Sequence, residues 1–82
     1  MQLSTFPTIQ DEVMSFLLSA PSAQQIIEFR ASDAAQERLR MLLDANRAGT
    51  LSAEERAELE EASQINHFVI LLKARAHRQL GS

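Results

Sequence analysis

The chain of 82 residues contains no cysteine, no tryptophan and no tyrosine, and only two glycines and two prolines. Without cysteine there is no disulfide framework, no thiolate metal site and no thiol nucleophile. The same absence fits a reducing cytoplasm. Four phenylalanines are the only aromatic residues, less than base-stacking nucleic-acid binders use. No glycine-rich phosphate loop can be drawn from two glycines. The longest apolar run is FVILL, residues 68–72, far short of the roughly 20 residues a membrane span needs. The stretch MQLSTFPTIQDE lacks a basic segment followed by an apolar one and does not read as a secretory signal. These absences predict a soluble, cytoplasmic, single domain spanning 1–82. A chain this short buries only roughly 60–65% of its unfolded surface, so its core is small.

What the chain has in abundance is Ala, Leu, Glu, Gln and Arg, the composition of a helical protein. Net charge is −3, but its distribution says more. All eleven acids precede residue 62, whereas Lys73, Arg75 and Arg78 gather at the end. A basic end can touch nucleic acid or an acidic partner. Acids early and bases late in a helix also complement its dipole.

Four helices follow from start and stop signals. The first runs from about Ile9 to Ser19, with Thr8 as cap and Asp11 as its capping-box partner. Ile9, Val13, Phe16 and Leu17 form its apolar stripe, and Met14 and Leu18 widen it. Pro21 ends it by disfavouring helical geometry at Ala20. A short second helix begins after Ser22, with Gln25 placed to reach back to the cap. It carries Ile26, Ile27 and Phe29 and is too short to persist undocked. The third begins at Ser32 and ends at Gly49. It aligns Ala35, Leu39, Leu42 and Leu43 on one face, with Gln36, Glu37, Arg38 and Arg40 largely outward. The fourth begins after Ser52 and extends to about Gln79, roughly 40 Å. The first few residues and the final LGS are expected to fray. The reading is an all-α, four-helix domain. Helices three and four form an antiparallel hairpin, and helices one and two pack across the C-terminal half of the long fourth.

Along that fourth helix, Leu59, Ala62, Ile65, Phe68, Val69, Leu72 and Ala76 trace the line toward the core. Ile70 and Leu71 fall off it. Five successive apolar residues at about 100° each sweep more than a full turn, and a helix apolar all round is normally enclosed. Either helices one and two wrap it, or the surplus is covered by self-association or by a protein partner. Phe68, Val69, Leu71 and Leu72, followed by Phe16 and Leu17, are the candidate partner-binding residues or the core beneath them.

Other chemistry is thinly represented. DANRAGTLSAEE, residues 44–55, approximates a calcium loop, with Asp44, Asn46, Ser52 and Glu55 at ligand positions and Gly49 at the sixth. Ala48 breaks the pattern at the fifth position. Gly49 is also what a helix end requires, and Ser52 with Glu55 is also a capping box. This leaves a degenerate calcium site as a minor reading, with no metal or cofactor assigned. His67 and His77 are ten residues apart and cannot share a metal at the i, i+4 spacing of helical zinc sites. No catalytic group is indicated, and so small a core leaves little room for a pocket. DNA binding would have to use Lys73, Arg75 and Arg78, because SAEERAELEE at the start of the fourth helix repels phosphate.

The segment from Pro21 to Leu80 resembles a family of small bacterial proteins frequent in cyanobacteria. The resemblance is carried by PSAQQIIEFR, by LLDANRAGTLSAEE and by HFVILLKARA. These match the patterns P-S/T-x-E/Q-Q-I-x-x-F-R, L-L-x-x-N-R-x-G-T-L-S/T-x-E-E and H-x-x-x-L-L-K-A-R-A, over about three-quarters of the chain. The resemblance implies an antitoxin-like protein, the small acidic half of a pair whose other half is a nuclease-type protein. The family pattern requires no acid at Asp44 but often has one at the position of Ala48, so the loop stays open at this point. The function expected is therefore non-catalytic protein binding, with homodimerisation as one form of it.

Overall fold

The structure, a computed structural model, describes residues 8–81. Four helices follow in order: α1 (Ile9–Leu18), α2 (Ala23–Glu28), α3 (Asp33–Ala48) and α4 (Ala53–Gly81). The all-α expectation holds, with every boundary within two residues of its sequence signal. α4 continues through Leu80 and Gly81, two residues past the expected end at Gln79. The expected fraying at the N-terminus falls on residues outside those described.

The caps explain these boundaries. Thr8 Oγ1 accepts the backbone N–H of Asp11 at 3.2 Å. Ser22 and Gln25 form a complete capping box, with bonds of 3.2 and 2.8 Å. Ser32 Oγ accepts from Ala35 N at 3.1 Å. Ser52 and Glu55 repeat the reciprocal pair at 3.1 and 2.9 Å. Each satisfies backbone N–H groups that the first turn leaves orphaned. Gly49 closes α3 at φ +74°, the left-handed conformation that costs glycine least. Ala20 adopts the same region at φ +57°. Here Pro21 pushes its predecessor out of the helix and no glycine is present to accommodate the turn.

The four residues 49–52 reverse the chain, so α3 returns along α4 as an antiparallel hairpin. Leu42 and Leu59 are buried, and Arg38 of α3 meets Glu58 of α4. That pair is two-pronged, with Nε donating at 2.9 Å and a terminal nitrogen at 2.8 Å. Both side chains are largely shielded, so Arg38, expected outward, instead braces the hairpin. The hydrogen bond to Glu58 raises the Arg38 pKa above its ordinary value. Desolvation opposes this, and the charges of Glu58 and Glu55 add to it. A raised folded-state pKa stabilises below the unfolded value and is lost only above it. With Glu58 ionised, this contribution is lost on the alkaline side only as pH rises through the arginine range.

α1 lies beside the middle of α4 and runs parallel to it, since Gln10 bonds Glu61 at 3.2 Å and Met14 sits by Gln64 and Phe68. α2 docks farther along, where Pro21, Ala23 and Ile26 face Leu72 and Ala76. Two polar links tie these joints. Glu12 of α1 accepts from both the backbone N–H (2.7 Å) and the hydroxyl of Ser32, the cap of α3. Lys73 of α4 donates to the carbonyl of Phe29 at 2.7 Å, just beyond α2. Ile9, Val13 and Ala35 form the central cluster, flanked by Leu17, Phe29, Ala31, Leu39, Ile65 and Val69.

The two left-handed residues predict opposite responses. A Cβ at Gly49 meets no atom within 4 Å, so Gly49→Ala is expected to cost only the backbone term, about 1 kcal/mol. Ala20→Gly is expected to raise stability by up to about 1 kcal/mol by relieving the same strain. Chemical denaturation of both variants beside the parent checks the pair, and equal signs would refute it.

Candidate interaction surface

Among the described residues, four large apolar side chains, Ile9, Val13, Leu42 and Leu59, are buried, and of these Val13 alone is fully enclosed. Eight others stand exposed: Met14, Leu18, Met41, Leu43, Phe68, Ile70, Leu71 and Leu80. The proportion is unusual, because exposed apolar residues are ordinary singly but not when contiguous.

The six candidate residues divide between interior and surface. Phe16 is half-buried and stacks on Phe29 with ring centroids 4.5 Å apart. Leu17 and Val69 pack against the Val13 cluster. Leu72 is half-buried in the crevice beside α2. Phe68 and Leu71 alone are exposed, at 44% and 51%. Phe68 leaves the buried line expected of it because it stands about 100° round α4 from Val69, which packs against the core. Leu43, expected on the buried face of α3, is likewise exposed.

Phe68 and Met14 share a groove between α1 and α4, edged by Gln10, Asp11, Glu61 and Gln64 and floored by Ile65. One helical turn beyond Met14, on the same face of α1, Leu18 is 87% exposed. Met14 and Phe68 line the groove, and Leu18 and Leu71 stand exposed about one turn farther along α1 and α4, so the strip is traced by these four with polar and acidic residues at the groove end. The sequence marked Met14 and Leu18 only as widening a stripe. Their i, i+4 spacing is the signal that they share a face, but periodicity alone does not say which face a neighbour covers.

Lys73, Arg75 and Arg78 do not form one open cationic patch. Lys73 is half-buried and bonded to Phe29, whereas Arg75 and Arg78 are exposed. Residues 44–55 are chiefly helix ends. Asp44 and Asn46 lie inside α3, Asp44 pairs with Arg47, and Ser52 and Glu55 are engaged in capping α4. Among the described residues no group of three or more His, Asp or Glu is placed to hold a metal ion. His67 and His77 are exposed on α4. Among the same residues no helix is long and apolar enough to cross a membrane. No protein-family model, curated protein or solved structure matches the chain.

The division predicts two classes of variant. Phe16→Ala is expected to lower stability by about 2–3 kcal/mol, because it removes a packed ring. Leu18→Ala and Leu71→Ala are expected to change it by less than about 1 kcal/mol at low protein concentration. Urea denaturation at micromolar protein separates the classes, and a loss at Leu71 matching that at Phe16 would show the strip to be part of the fold.

Proposed function

We propose that this chain is a non-catalytic protein-interaction module whose working surface is the α1–α4 face. The observation that supports it is the exposed apolar strip of Met14, Leu18, Phe68 and Leu71. An apolar centre with a polar rim is the usual anatomy of a protein interface, and methionine and phenylalanine are enriched at interface cores. Long helices with an unoccupied apolar face bind other helices by the same rule that packs them internally. The family resemblance gives this module an antitoxin-like role, with a nuclease-type protein among its partners, and self-association uses the same surface. Phe16, Leu17, Val69 and Leu72 then support the surface from beneath, and Phe68 and Leu71 touch the partner.

Site-specific photo-crosslinking tests this reading. Benzoylphenylalanine at position 71 is expected to give discrete protein adducts in cells that produce the chain. The same group at Arg56, exposed about 22 Å nearer the start of α4, is expected to give few. Equal yields at the two positions, or none at 71, would sink the reading.

A further inference from the structure

We infer that the partner covering this face is a second copy of the chain, with the two α4 helices packed antiparallel about a two-fold axis at Phe68. This rests on the α1–α4 face being the working surface, and goes further by fixing occupant and register.

The argument starts from spacing. Glu61, Gln64, Phe68, Leu71 and Arg75 succeed one another at intervals of three, four, three and four residues, the spacing of one helix face, with Phe68 and Leu71 as its apolar centre. At about 100° per residue they fall within an arc of about 80°. All five are exposed. Val69 and Ile65, which lie outside the arc or at its edge, pack against the interior instead.

Charge along the seam then selects the orientation. Glu61 stands seven residues before Phe68 and Arg75 seven residues after it. Turning a second copy about Phe68 sets each Glu61 opposite the partner copy's Arg75, Phe68 against its own equivalent, and Leu71 beside the partner copy's Gln64. A parallel arrangement in register would instead align acid with acid and base with base. Opposed charges flanking an apolar contact fix orientation and register more than they add affinity.

Neither charge is explained by the helix ends. The dipole's influence is confined to the first and last turns. Glu61 is well beyond the first turn of α4, and Arg75 precedes its last. Glu61 accepts a bond from Gln10 at 3.2 Å through one carboxylate oxygen and is exposed at the groove edge. Met14 and Leu18 of each α1 would close over the flanks of the α4 pair.

Charge reversal tests the register by sedimentation equilibrium, with circular dichroism confirming that each variant remains helical. The parent chain is expected to be a dimer. Glu61→Arg alone and Arg75→Glu alone each place like charges opposite, and each is expected to weaken self-association at least roughly tenfold at low salt. Mixing the two variants restores both opposed pairs, so a one-to-one heterodimer is expected from the mixture. A parent that stays monomeric at several hundred micromolar overturns the inference. So does a dimer that neither reversal weakens. In those cases a position-71 adduct containing a different protein leaves the α1–α4 reading standing, and absence of any adduct removes both.

Discussion

One helix of this protein is longer than anything that covers it. α4 spans 29 residues, about 44 Å at 1.5 Å per residue, against 16, 10 and 6 residues for α3, α1 and α2. The longest dimension of the molecule, 46 Å, is essentially the length of α4. Its N-terminal half needs cover on one side, which α3 supplies. Its C-terminal half is apolar around the whole circumference at FVILL. There α1 and α2 shield the sides bearing Ile65, Val69 and Leu72 and leave Phe68, Ile70 and Leu71 exposed. The placement of every other helix answers to this mismatch.

The short helices hold their positions through polar joints as well as apolar area. Six residues of α2 cannot stay helical alone. Their carboxyl end is held by Lys73 on the Phe29 carbonyl, and their start by a complete capping box. Glu12 performs the corresponding service between α1 and the cap of α3. These are charge-assisted bonds to groups that would otherwise lack a helical partner, which makes them stronger than neutral ones. Lys73 illustrates a general point. A basic cluster read from sequence as one patch can contain a residue whose charge is already committed inside the fold.

Local signals made most of the fold legible. Ser22, Ser32, Ser52 and Gly49 each mark a helix end by a mechanism confined to three or four residues, so the chain alone reveals them. Part of the calcium likeness of residues 44–55 has the same origin, since its Ser52, Glu55 and Gly49 serve as those end signals. What the chain could not reveal is which side of α4 a short helix fails to reach. Phe68 and Val69 are adjacent and equally apolar, yet one is exposed and the other packs on the core. Adjacent residues stand about 100° apart on a helix, so the two cannot share a face, and which of them turns to the core depends on where the neighbouring helices lie. Arg38 was hidden similarly, because nothing local distinguishes it from Arg40 until α4 brings Glu58 opposite.

The thin core gives the exposed strip a thermodynamic meaning as well as a geometric one. With Val13 the sole large side chain fully enclosed among the described residues, the folded state draws on little burial, and small domains have only a few kcal/mol in reserve. A partner that binds the folded chain alone adds stability by mass action, about 2.7 kcal/mol at a hundred times its dissociation constant. That is a substantial fraction of the stability such a domain can hold by itself. Covering Met14, Leu18, Phe68 and Leu71 would therefore do for the C-terminal half of α4 what α3 does for the N-terminal half. Folding and association would be two stages of enclosing the same helix, and the fraction of chain folded would rise with the concentration of whatever completes that enclosure.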